Sequence, residues 1–117
     1  MEGRVTGGPH AFRRPDWMPV PREGCVGVES RVLFVDEEIG VAMLRFAPHG
    51  TIDEHAAPHD IDVVCLEGAG YTSVEDRRFM FKAGEIVRWP RERRHRLWTD
   101  GSTMTTLMLE RLRSAAA

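Results

Sequence analysis

The chain has 117 residues, enough for one domain with a single buried core. Its apolar content of 42%, charged content of 29% and formal net charge of -2 describe an ordinary globular protein with no field that would draw nucleic acid or an anionic membrane. No apolar run approaches the ~20 residues that span a bilayer, so neither nucleic acid nor membrane is an expected partner.

Residues 1–24 are rich in Pro, Gly and Arg and hold no apolar segment of the kind a secretory signal needs, so they read as an irregular arm. A cytoplasmic location is the expectation. Cys25 and Cys65 are read there as free buried thiols, with a single bridge between them as the alternative. Trp17 and Met18 are expected to pin the arm to the body or to a partner subunit, because an exposed tryptophan is costly in a monomer.

From residue 26 onward the chain is a succession of short β-branched and aromatic runs: VGVESRVLFV, GVAMLRFA, IDVVCLEG, GYTSVE, RRFMFKA, EIVRWP, HRLWT and TMTTLMLERL. Between them stand DEEIG, PHG, EGAG, ED, AGE, PRERR and DGS, all turn-rich. No segment sustains a 3.6-residue apolar period, and the last run reads as a strand with a frayed tail. The pattern predicts an antiparallel sandwich or barrel, with Glu75-Asp76 as a tight hairpin connection. The domain division is an arm over 1–24, a barrel over 25–113 and a tail over 114–117.

Two blocks carry a resemblance. The first is Gly50, His55 and His59, followed by an apolar strand closed by Leu66-Glu67-Gly68. The second is Ala83-Gly84-Glu85, a short strand, Trp89-Pro90 and His95-Arg96-Leu97. In this order and spacing they resemble the cupin superfamily over residues 26–111, and more narrowly its small stand-alone members. The resemblance implies a double-stranded β-helix, or jelly-roll barrel, with a ligand or metal site inside and a homodimeric assembly.

Typical cupins hold a divalent metal through two close histidines, a following glutamate and a later histidine. Here His55 and His95 match the first and last positions, whereas Ala57 and Ile61 occupy the other two. Strand parity offers a substitute. If residues 55–65 stay extended, His55 and His59 share one face, and His95 from a facing strand completes a three-histidine site for Zn, Fe, Mn, Ni or Cu. Cys65 points inward on the same parity, while Asp60 and Asp62 fall on the other and read as solvated or turn residues. Positive neighbours Arg93, Arg94 and Arg96 disfavour an imidazolium, so His95 is expected to be neutral near pH 7.

The expected ligand-binding residues are Trp89, Arg88, Phe81 and Trp98. The aromatics would suit a small, partly apolar ligand. The arginines between positions 88 and 96 would either grip a carboxylate or phosphate or form a solvated, internally paired loop. Three functional classes remain open at this level: a small-molecule-binding cupin with or without metal, a metal-dependent enzyme of dioxygenase, isomerase or decarboxylase type using His55, His59 and His95, and a structural barrel dimerising through its arm.

Overall fold

Along Met104–Arg111 the chain alternates, with Met104 and Thr106 buried and their neighbours less so. This is the mark of a strand with one face on a core. The same period organises the rest of the chain. The computed structural model describes residues 7–9, 11 and 15–113. The tail expected at 114–117 lies outside the described residues. The elements are β1 (Met18–Pro19), β2 (Cys25–Val35), β3 (Ile39–His55), β4 (Ile61–Val74), β5 (Arg77–Lys82), β6 (Ile86–Trp89), β7 (His95–Trp98) and β8 (Met104–Arg111). All pairings are antiparallel. Among the described residues no helix is long and apolar enough to cross a membrane.

The strands form two layers that share β3 and β4. The first half of β3 pairs with β2 and β8, β8 pairs with the first half of β4, and β6 borders that half. The second halves of β3 and β4 flank β7, with β5 outside. Strands that change sheets at a bend close the corners of such a barrel. The core lies between the layers, with Leu44, Phe46, Val63 and Met104 from one and Ile52 and Leu97 from the other.

The PHG and EGAG stretches are therefore not strand-ending turns, as their composition predicts, but bends inside continuous strands. At the first, His49 takes a φ of 63° and the strand resumes at Gly50. At the second, Gly68 takes a φ of 78° beside a register shift between Cys65 and Glu67. A Cβ on Gly68 would collide with the Thr103 carbonyl, so glycine is required both by conformation and by space. Glycine and bulge chemistry reads as a turn locally, yet the ladders on either side carry the strand through.

Residues 17–19 of the arm are tied down. Met18 and Pro19 pair with Ser30 and Glu29, and the Trp17 ring lies under the guanidinium carbons of Arg31 and Arg45, at 4.9 and 4.3 Å. The expectation that Trp17 pins the arm to the body matches this contact.

Thr99 locks the β3 corner. Its buried hydroxyl donates to the Ala47 carbonyl at 2.6 Å and accepts from the Gly50 N–H at 2.9 Å. Replacing Thr99 by Val keeps the volume but strands both backbone groups, so the variant should lose about 2 kcal/mol in urea unfolding. A loss within experimental error would show that water satisfies the corner instead.

Candidate functional site in the barrel

His95 is a fully buried polar side chain at the start of β7, in register with His55 on β3 and Val74 on β4. Pro90, with its fixed φ and missing N–H, ends β6 just after Trp89. The turn that follows is anchored when the Glu92 N–H bonds the Ala57 carbonyl at 2.7 Å, and it delivers the chain back inward at His95. The Trp89 and His95 rings stack at 4.0 Å, 9° from parallel, and His55 meets His95 edge to face with ring centres 4.5 Å apart. The Trp89 indole N–H donates to the Thr72 hydroxyl at 3.0 Å, and that hydroxyl donates to the Arg96 carbonyl at 2.9 Å. One indole from the first sheet is thus bonded to the second.

The proton positions follow from the partners. His55 Nδ1 lies 2.9 Å from the Asp53 carbonyl, which can only accept, so His55 carries its proton there when neutral and leaves Nε2 as an acceptor. His95 Nε2, 3.3 Å away, is the donor to that lone pair. Among the described residues the buried His95 Nδ1 makes no hydrogen bond of good geometry. The Arg93 backbone favours a proton on this ring, but burial and His55, aided by Arg22, prevail, and the His95 pKa is pushed down to about 4. The expected neutrality of His95 matches this direction, but its cause differs. Arg94 engages Glu54, Glu75 and Asp76, and Arg96 lies over Trp98. Desolvation comes first.

Above this stack opens a cavity of about 160 Å³, walled by Leu44, Ile52, Trp89 and Met108, with His55 as a polar wall and Val20, Arg22 and Cys25 at the arm side. At ~30 Å³ per water, it holds about five waters. Burial raises the pKa of the Cys25 thiol, so the rim presents a neutral SH group.

Residues 42–110 match the cupin domain family. This protein is a cupin. Solved structures agree on the fold. The polyketide cyclase RemF from Streptomyces resistomycificus superposes with a TM-score of 0.77 at 18% identity, covering 86% of this chain and 76% of that one. A cupin 2 conserved barrel domain protein from Rhodopseudomonas palustris gives 0.75 at 17% identity over 86% and 74%, and KdgF from Halomonas sp. gives 0.70 at 14% over 86% and 89%. No curated protein matches the chain.

Membership raises the question of a metal, and the donor set answers it. His55 and His95 supply two imidazoles whose Nε2 atoms already face each other. At the other two motif positions, Ala57 packs against the core and Ile61 is buried within it. His59 does not join the pair: it lines a different cleft, beside Asp60 and Arg88. Among the described residues no group of three or more His, Cys, Asp or Glu side chains is placed to hold an ion. The residues present do not fit the family's divalent metal.

The four expected ligand contacts also separate. Trp89 lines the barrel cavity and Phe81 is core. Arg88 turns outward onto Asp62, and Trp98 stacks on Tyr71 at 5.6 Å beside a surface cleft. Sequence reasoning missed Thr72 and Arg22, which no local pattern marks, whereas the Met104/Met108 pair reads as core or cavity lining and Met108 does line the cavity. The same reasoning read Asp62 as a solvated or turn residue. Asp62 does lie on the outward parity, but Arg88 and Arg111 cover it, leaving 7% exposed.

The His95 shift has a pH consequence. The unfolded chain binds a proton near pH 6.5 and the folded one only near 4, so stability is fully present above 6.5 and declines as pH falls toward 4. Over that window the loss amounts to about 3 kcal/mol. Urea unfolding of the wild type and His95→Asn should show a stability gap that narrows from pH 7 to pH 4.5. Parallel curves would mean that His95 does not remain neutral in the fold.

Proposed function

We propose that this cupin binds a small organic ligand in the barrel cavity without a metal. The observation that carries the reading is the closed floor of the cavity, where Trp89, His95 and His55 interlock and leave hydrocarbon walls with one accessible imidazole. An apolar enclosure with a few convergent polar groups is how proteins select small ligands. The size supports an occupant well below the ~300 Å³ of common ligand pockets, an apolar body of few atoms with one polar group toward His55 or Arg22.

The second reading is a metal-dependent enzyme of dioxygenase, isomerase or decarboxylase type, with His55, His59 and His95 as ligands. The near approach of two imidazole Nε2 atoms favours it, and the placement of His59 weighs against it. Metal-free proton transfer is disfavoured as well. A base with a pKa of about 4 lies far from the operating pH at which general catalysts work best.

The test is a nuclear magnetic resonance titration that follows the Trp89 indole N–H as isobutyrate, acetone and isobutanol are added. At least one should shift it saturably, and His55→Phe should weaken that binding about tenfold. In parallel, protein made without a histidine tag and reconstituted with zinc, iron, manganese, nickel or copper should hold far less than one metal per chain. A full equivalent, lost in both His55→Ala and His95→Ala, would establish the metal-dependent reading instead.

The free thiols Cys25 and Cys65 support a cytoplasmic, reducing setting. We also propose a homodimer, supported by exposed Val32, Phe34 and Val35 on β2 rather than by Trp17, which the body already engages. Light scattering at micromolar concentration should give twice the subunit mass, and Phe34→Lys should lower it.

A further inference from the structure

On its arm side the cavity of about 160 Å³ is bounded by a turn that three backbone bonds hold in shape. The Cys25 N–H donates to the Arg22 carbonyl at 3.1 Å, the Val20 N–H to Val28 of β2 at 3.1 Å, and the Asp53 N–H of β3 to the Gly24 carbonyl at 2.9 Å. Residues 20–25 are thus tied to both strands, and Val20, Arg22 and Cys25 form the rim.

The polar groups around this cavity divide into engaged and unengaged. Both nitrogens of neutral His55 are taken, Nδ1–H by the Asp53 carbonyl and the Nε2 lone pair by His95. The Trp89 indole N–H is held by Thr72. The Cys25 thiol, neutral because burial raises its pKa, is a weak partner either way. Arg22 differs. Among the described residues its guanidinium enters no hydrogen bond and no ion pair. Neighbouring carboxylates face other partners. Asp53, whose side chain lies against Gly24, accepts from the Thr51 hydroxyl at 3.0 Å and lies 4.0 Å from Arg96 Nε. Glu54 lies 3.5 Å from Arg94, and exposed Glu23 does not line the cavity. The charge of Arg22 is felt inside: burial and then His55 lower the His95 pKa, Arg22 adds to them, and no carboxylate opposes it there.

A rim that offers donors and no free strong acceptor discriminates among ligand heads. A hydroxyl or amide brings O–H or N–H groups that the lining side chains leave unsatisfied, which weakens binding. A carboxylate carries acceptors only, and it matches a guanidinium fork through two charge-assisted bonds. At the exposed rim the anion keeps part of its water, so its charge is not stranded in hydrocarbon. Resting on the reading of this cavity as a ligand site, we propose that its ligand is a short-chain carboxylate, the carboxylate held by Arg22 and a compact hydrocarbon body set among Leu44, Ile52 and Met108.

The test pairs isobutyrate with isobutyramide, which share one hydrocarbon body but differ in charge and in donors. The Trp89 indole N–H resonance is followed at pH 7 as each is titrated into the full chain. Isobutyrate should bind at least about tenfold more tightly, an advantage that shrinks as sodium chloride rises. Arg22→Gln, at an exposed turn position, should melt like the wild type and bind the two alike, at the wild-type level for isobutyramide. Arg22→Lys, which keeps the charge without the fork, should fall between. Equal binding of the pair to the wild type, or an isobutyrate advantage that survives in folded Arg22→Gln, overturns the carboxylate assignment while the cavity remains a ligand site. Saturable binding of isobutanol or acetone without isobutyrate has the same meaning. If none of these four molecules binds, the cavity reading itself fails and the carboxylate assignment falls with it.

Discussion

Two β-layers of this size need something that fixes their separation, since apolar side chains alone slide past one another. Here that role falls to the Trp89 indole. It leaves the first sheet at the end of β6, lies flat on His95 from the second, and donates its one N–H to Thr72, also of the second. Apolar area, ring stacking and a directional bond act along a single side chain. Thr72 passes the bond on to the Arg96 carbonyl, so a side chain reinforces the β4–β7 ladder at the same point.

That arrangement dictates the chemistry of the interior. Stacking an imidazole against an indole removes water from both faces of the pair, and an unpaired imidazolium in such a place is unfavourable. His95 is consequently neutral. His55 remains its single side-chain hydrogen-bond partner among the described residues, and Asp53 fixes His55 through its carbonyl. At the positions of Ala57 and Ile61 the chain offers hydrocarbon, the first packed against the core and the second within it. The polar groups left beside them form a short chain of hydrogen bonds.

Much of the barrel was legible because its signals are local. Trp89-Pro90, the hairpin at Glu75-Asp76 and the strand read into TMTTLMLERL each report on a few neighbouring residues, and each holds in three dimensions. The bends at His49 and Gly68 misled for the same reason: a local reading cannot see the ladders that carry a strand past its glycine. The site was harder. The argument from parity joined His59 to His55 only if the chain stayed extended, but β3 stops at His55 and β4 begins at Ile61. Between them the alternation is reset and His59 leaves the barrel. The pairing of Asp62 with Arg111 spans 49 positions and depends on a register that no short motif encodes.

The position of β8 has a consequence for how the chain is made. Met104–Arg111 lies between β3 and β4, bonded along both. During synthesis, the first halves of those strands emerge long before their shared neighbour, with open edges and apolar faces. The first halves of β3 and β4 meet only through β8, so that layer closes last, after Met104–Arg111 has been made. A chain ending before Met104 would leave an unpaired edge on each of the two strands.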